Sequence, residues 1–86
     1  MTLKPKIAAL PDLPEGRSAV IAMVDEGLTE LMEIGFVPGA PVRPTYSGVG
    51  GDPRVYELEG TLVALRRAAA RHIYVTLPEE NGKERD

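Results

Sequence analysis

A chain of 86 residues, 43% apolar and 27% charged with a net charge of −3, has the composition of one small globular domain with a limited core. The complete lack of cysteine excludes disulfides, thiolate metal centres and cysteine nucleophiles, and a reducing cytoplasm is the simplest setting. With no Trp and a single Phe, the aliphatic residues must fill the interior, and the negative balance lacks the basic stripe that nucleic-acid binding needs.

The first residues carry Lys4 and Lys6, but Pro5, Pro11 and Pro14 interrupt the continuous apolar stretch that a signal peptide or membrane span requires. Residues 1–9 therefore read as an extension ahead of a domain over residues 10–77. Ser18 to Val24, SAVIAMV, is an apolar run between Gly16 and Asp25 and predicts a buried strand. Leu28, Leu31 and Met32 follow at helical spacing and predict a short helix with these three on its buried face. Gly35 supplies the left-handed stop, Phe36 folds back onto Leu31, and Pro38-Gly39 fits a type II turn. A helix this short is unstable alone and must act as a plug on a larger structure.

After the turn, Val42, Pro44 and Tyr46 alternate with polar neighbours as a half-buried strand, which Pro41 and Pro44 push toward an edge or a bulge. Ser47 to Pro53, SGVGGDP, is a loop. Arg54 to Glu59 alternates again with Tyr56 and Leu58 on one face, Gly60 marks a tight turn, and Thr61 to Leu65 directs Val63 and Leu65 one way. The run from Arg66 is long enough for a helical turn only, and His72 to Leu77 forms a last strand with Ile73 and Val75 inward. The tail, residues 78–86, holds four acids and two bases without an apolar anchor and reads as disordered. Five short strands, one helical plug and one helical turn predict a small all-β barrel or sandwich, without choosing between them.

The segments ELMEIGFVPGAPV, GDP, LVALRRAAA and HIYV, in this order and spacing, resemble the FeoA family of small proteins of bacterial ferrous iron uptake. Leu13 and Gly16 fit the opening of the family pattern, and Leu31, Glu33, Gly35, Pro38, Gly39 and Val42 fit its centre. Gly51, Asp52 and Pro53 fit the loop, while Gly60, Ala64, Leu65, Arg66, Ala70, Ile73 and Val75 fit the close. The resemblance implies a mainly β fold, an SH3-like five-stranded barrel of the kind also found at the C-terminus of metal-dependent repressors. It further implies a cytoplasmic accessory protein, brought to the inner membrane by its partner, a FeoB-type transporter with a cytoplasmic G-domain. Glu30 stands where the family usually has Arg, Ala68 and Ala69 where acids are common, and Pro44 where a β-branched residue is usual.

Five charged residues form the expected partner-binding set: Glu30 and Glu33 at the helix, and Arg66, Arg67 and Arg71 at the later turn. Each group also reads as an ordinary solvated face. An arginine finger acting on a partner G-domain is the one route to assisted catalysis, since one His and no recognisable triad spacing leave no nucleophile of the chain's own. The glycines at 48, 50 and 51 lack the Gly-Lys-Ser/Thr and following helix of a phosphate cradle. His72 would need partners such as Glu79 and Glu80 to hold Fe(II) or another transition metal, and otherwise reads as an outward strand residue; no cofactor is expected. The alternative is a peptide-binding or metal-responsive regulatory module acting on a soluble partner, and self-association through the Pro-rich edges is open.

Overall fold

The computed structural model describes residues 6–77, so the expectation of a disordered tail at 78–86 lies outside the described residues. Six strands form one antiparallel sheet: β1 (Lys6–Ala9), β2 (Ala19–Val24), β3 (Pro41–Ser47), β4 (Arg54–Leu58), β5 (Thr61–Leu65) and β6 (Ile73–Leu77), in the order β1-β6-β2-β3-β4-β5. Helix α1 (Thr29–Ile34) joins β2 to β3, and α2 (Arg67–Ala70) joins β5 to β6. Short 3₁₀ turns occupy Leu10–Asp12 and Val49–Gly51.

Two features correct the expected five-stranded barrel. Lys6–Ala9, placed in the N-terminal extension by sequence, is a sixth strand whose Ile7 lies opposite Thr76 of β6. The sheet is also not closed, since β1 and β5 are its two edges. β1 stops at Ala9, because Pro11 follows within the 3₁₀ turn and has no N–H to extend a ladder. Loop and side-chain contacts bridge the edges instead: the Leu10–Asp12 turn packs on α2, and Arg54 Nη1 donates to the Pro11 carbonyl at 3.1 Å.

Strand β2 is half-buried rather than buried. Ala19 and Ile21 face the core, whereas Val20 and Met23 are exposed. The pairing moves from Ile21 opposite Val75 to Met23 opposite Tyr74, so Ala22 is an extra residue and Val24 returns inward opposite Ile73. A similar bulge interrupts β3. Pro44 pairs with Tyr56 and Tyr46 with Val55, leaving Thr45 as the extra residue, its hydroxyl donating to the Val55 carbonyl at 3.0 Å. The proline-rich strand is thus internal and bulged, not an edge. Beyond the bulge Tyr46 shares the outward side of Val55 and is exposed, contrary to the simple alternation with Val42 and Pro44.

The end of α1 carries the double hydrogen bond of a Schellman motif. Phe36 N–H donates to the Leu31 carbonyl and Gly35 N–H to the Met32 carbonyl, both at 3.1 Å. Gly35 has φ 131°, and a Cβ built on it would lie 2.9 Å from Leu58 Cδ2. Leu31 and Phe36 are buried, as the plug requires, but Met32 faces solvent. The Ala40 N–H closes the Val37-Pro38-Gly39-Ala40 turn on the Val37 carbonyl at 3.0 Å, with Gly39 at φ 94°. Gly39 N–H and the Ala40 carbonyl then bond Ile21 at 2.8 and 2.9 Å, which ties the plug to β2. Between β4 and β5, Glu59 and Gly60 both have positive φ, the twist of a two-residue hairpin turn. Leu65 closes the inward face of β5, and the core comprises mainly aliphatic side chains packed with Phe36 and Tyr56.

Candidate functional site

The loop from Ser47 to Pro53 and the start of α2 meet over the 3₁₀ turn at Leu10–Asp12. Between them lies a cleft of about 180 Å³ lined by Pro11, Ser47, Gly51, Arg54 and Arg67. The loop is braced internally, with Gly48 N–H bonded to the Pro53 carbonyl at 2.7 Å and Gly51 N–H to the Gly48 carbonyl at 2.9 Å. It leads directly into β4, so it is a hairpin loop rather than a phosphate cradle. Asp52 fastens it to α2 by accepting from the Arg67 backbone N–H at 2.9 Å.

Arg54 is held on two sides. One guanidinium nitrogen donates to Pro11, and the guanidinium carbon stands 5.9 Å from the centroid of the Tyr56 ring. Tyr56 itself is 1% exposed. Burial raises its phenol pKa above the usual 10.0, opposed by the hydrogen bond and charge of Arg54 and by the charge of Arg67. The folded state therefore holds this proton more tightly than the unfolded chain does. Its contribution to stability is complete below pH 10.0 and is lost as pH rises through the raised value. Urea midpoints should fall on that alkaline limb, and Tyr56→Phe should flatten the fall; an equal slope in both proteins would refute the assignment.

Other polar contacts lie elsewhere. Asp25 Oδ2 is 2.8 Å from His72 Nδ1, and the Asp25 N–H donates to the His72 carbonyl at 3.0 Å, joining the end of β2 to the entry of β6. This contact gives His72 a partner that the single-sequence reading did not name. Glu79 and Glu80 lie outside the described residues, and among the described residues no group of three or more His, Asp or Glu is placed to hold a metal. Arg43 and Glu57 form an ion pair across β3 and β4, beside a second shallow cleft.

Of the five charged residues singled out in the sequence, Glu30 and Glu33 are exposed on α1, and Arg66, Arg67 and Arg71 are exposed around α2. No ion pair among the described residues links the acidic and basic groups, and only Arg67 lines the cleft. Arg54 was not among the five. Its signal was nonetheless present, because two-residue alternation puts it on the same side of β4 as Tyr56 and Leu58.

The FeoA domain model matches residues 8–77. A FeoA from Stenotrophomonas maltophilia, described as a prokaryotic SH3 domain protein and solved with zinc, is 37% identical, with a TM-score of 0.68 over 77% of this chain and 86% of its own. The FeoA protein of Chlorobium tepidum is 29% identical, with a TM-score of 0.75 over 84% of this chain and 71% of its own. A manganese-dependent transcriptional repressor shares the fold at 18% identity and a TM-score of 0.76, but this chain covers only 44% of it. No curated protein sequence matches the chain. The family match spans nearly all the described residues, and solved FeoA structures share the fold: this chain belongs to the FeoA domain family.

Proposed function

We propose that this chain is a non-enzymatic accessory protein of ferrous iron uptake that binds the cytoplasmic part of a FeoB-type transporter and modulates transport. The FeoA domain match over residues 8–77 carries the reading. The 37% identical protein of S. maltophilia, described as a candidate ferrous iron transport activating factor, supports it. Iron is the transporter's cargo in this reading, not a resident cofactor of the chain. No helix among the described residues is long and apolar enough to cross a membrane, which fits an attachment made through a partner.

The surface has the materials for such docking. α1 presents Met32 and Ile34 to solvent beside Glu30 and Glu33, an apolar and acidic strip on a helix fixed by the Schellman motif. The test is reconstitution of a FeoB-type transporter in liposomes, with Fe(II) flux measured with and without this protein. A changed flux that reverts with Glu30→Lys and Glu33→Lys is expected. Unchanged flux together with failure to co-purify would sink the proposal, and recovery of a soluble regulator instead would favour the peptide-binding alternative. The same preparation tests the arginine finger, since an unchanged GTPase rate in Arg66→Ala, Arg67→Ala and Arg71→Ala ends that idea.

A further inference from the structure

We propose that the cleft between the Ser47–Pro53 loop and α2 is a binding site for a carboxylate group, with Arg54 and Arg67 as its two guanidinium donors. The assignment is independent of the iron-uptake reading and rests on geometry, charge and preorganisation. Both arginines line a cleft of about 180 Å³, to which Ser47 adds a hydroxyl and Gly51 a half-buried stretch of backbone. Among the described residues no carboxylate lies within salt-bridge distance of either guanidinium. Asp52 is the nearby acid, and it already accepts the Arg67 backbone N–H.

The local charge sum selects the ligand. Two arginines and one aspartate leave a single positive charge, which matches a monoanionic carboxylate better than a phosphate dianion. The fork of a guanidinium also suits the two oxygens of a carboxylate, whereas the ammonium of a lysine would not reproduce that fit. Arg54 is fixed in advance by the Pro11 carbonyl and the Tyr56 ring, so little side-chain freedom is lost when a ligand arrives. Arg67 is exposed and supplies the adaptable second arm. A carboxylate of this kind is carried by a small organic acid or by an aspartate, glutamate or C-terminus of a polypeptide.

The experiment is an NMR titration of the ¹⁵N-labelled full chain with acetate and with a blocked Gly-Glu-Gly peptide, against sodium chloride at matched ionic strength and inorganic phosphate. Saturable shifts at the amides of Ser47, Gly51, Arg54 and Arg67 are expected, with dissociation constants on the order of millimolar. Arg67→Gln should weaken binding about tenfold while keeping a dispersed spectrum, and Arg67→Lys should fail to restore it. Arg43→Gln, which removes a cation already paired with Glu57 outside the cleft, should leave binding unchanged. Arg54→Gln also removes the guanidinium bond to Pro11, so the Arg67 variants decide. Linear shifts that chloride reproduces would overturn the site, as would equal loss in Arg43→Gln. Saturation by phosphate at lower concentration than either carboxylate would overturn the choice of ligand. Binding of either carboxylate supports the proposal, and the tighter of the two identifies the source.

Discussion

Gly35→Val is expected to lower stability by about 3 kcal/mol, summing roughly 1–2 kcal/mol for a side chain in left-handed backbone and 1–3 kcal/mol for overpacking. Both contributions are visible at one atom position. The backbone has φ 131°, and the new Cβ would stand 2.9 Å from Leu58 Cδ2, inside any normal contact. Relief would require either the Leu58 side chain to turn aside within the core or α1 to give up the bonds of Gly35 and Phe36 to the Leu31 and Met32 carbonyls. A domain of this size unfolds with roughly 5–15 kcal/mol, so the loss is a large fraction of the total. Urea unfolding monitored by circular dichroism should show a lower midpoint at an unchanged slope. A loss under 1 kcal/mol would mean that the helix terminus is not a fixed part of the core.

Phe36→Ala should be at least as damaging, at about 3–5 kcal/mol, because the ring is fully buried and its removal leaves a large void. This substitution keeps the backbone bond from residue 36 to the Leu31 carbonyl, so it removes packing while leaving the helix stop in place. The pair of variants therefore separates the two halves of the plug. If the Phe36→Ala protein unfolds with nearly the parental midpoint, the ring contributes little and the plug is held by its backbone alone.

The helix stop was legible in the sequence because it depends on local rules: one glycine past a helical repeat, an apolar residue after it, then Pro-Gly. Gly35, Phe36, Pro38 and Gly39 all serve as those rules predict. The core faces of β4 and β6 were legible too, since Tyr56, Leu58, Ile73 and Val75 obey strict alternation. The misread positions lie where one extra residue changes the phase. Ala22 and Thr45 each insert such a residue, which puts Met23 and Tyr46 outside; the prolines of β3 signal a bulge there, but no local pattern marks the one inside the apolar run of β2. Met32 shows the other limit, because a six-residue helix needs only one buried turn and leaves the rest of its apolar stripe uncovered.

Strand β1 was hidden for a different reason. The four residues Lys6–Ala9 carry almost no strand signal alone, and their place is set by pairing with β6, from Lys6 opposite Leu77 to Ala9 opposite Tyr74. The cleft was half legible. Arg67 stood out as part of a basic cluster, whereas Arg54 and Pro11 meet only because the loop after β1 crosses to the entry of β4. Long-range encounters of this kind have no signature in a single sequence.

Lys6 and Leu77 face each other as neighbours across the β1–β6 ladder, so the chain enters and leaves the module at one place. A fold with such a doorway can be spliced into a longer polypeptide as a cassette, its host chain interrupted but not pulled apart. The same closeness favours circular permutation of the described residues, in which a short peptide links Leu77 to Lys6 and new ends are cut at the exposed tip around Val49. Modularity in this protein is thus a property of the ladder that pairs β1 with β6.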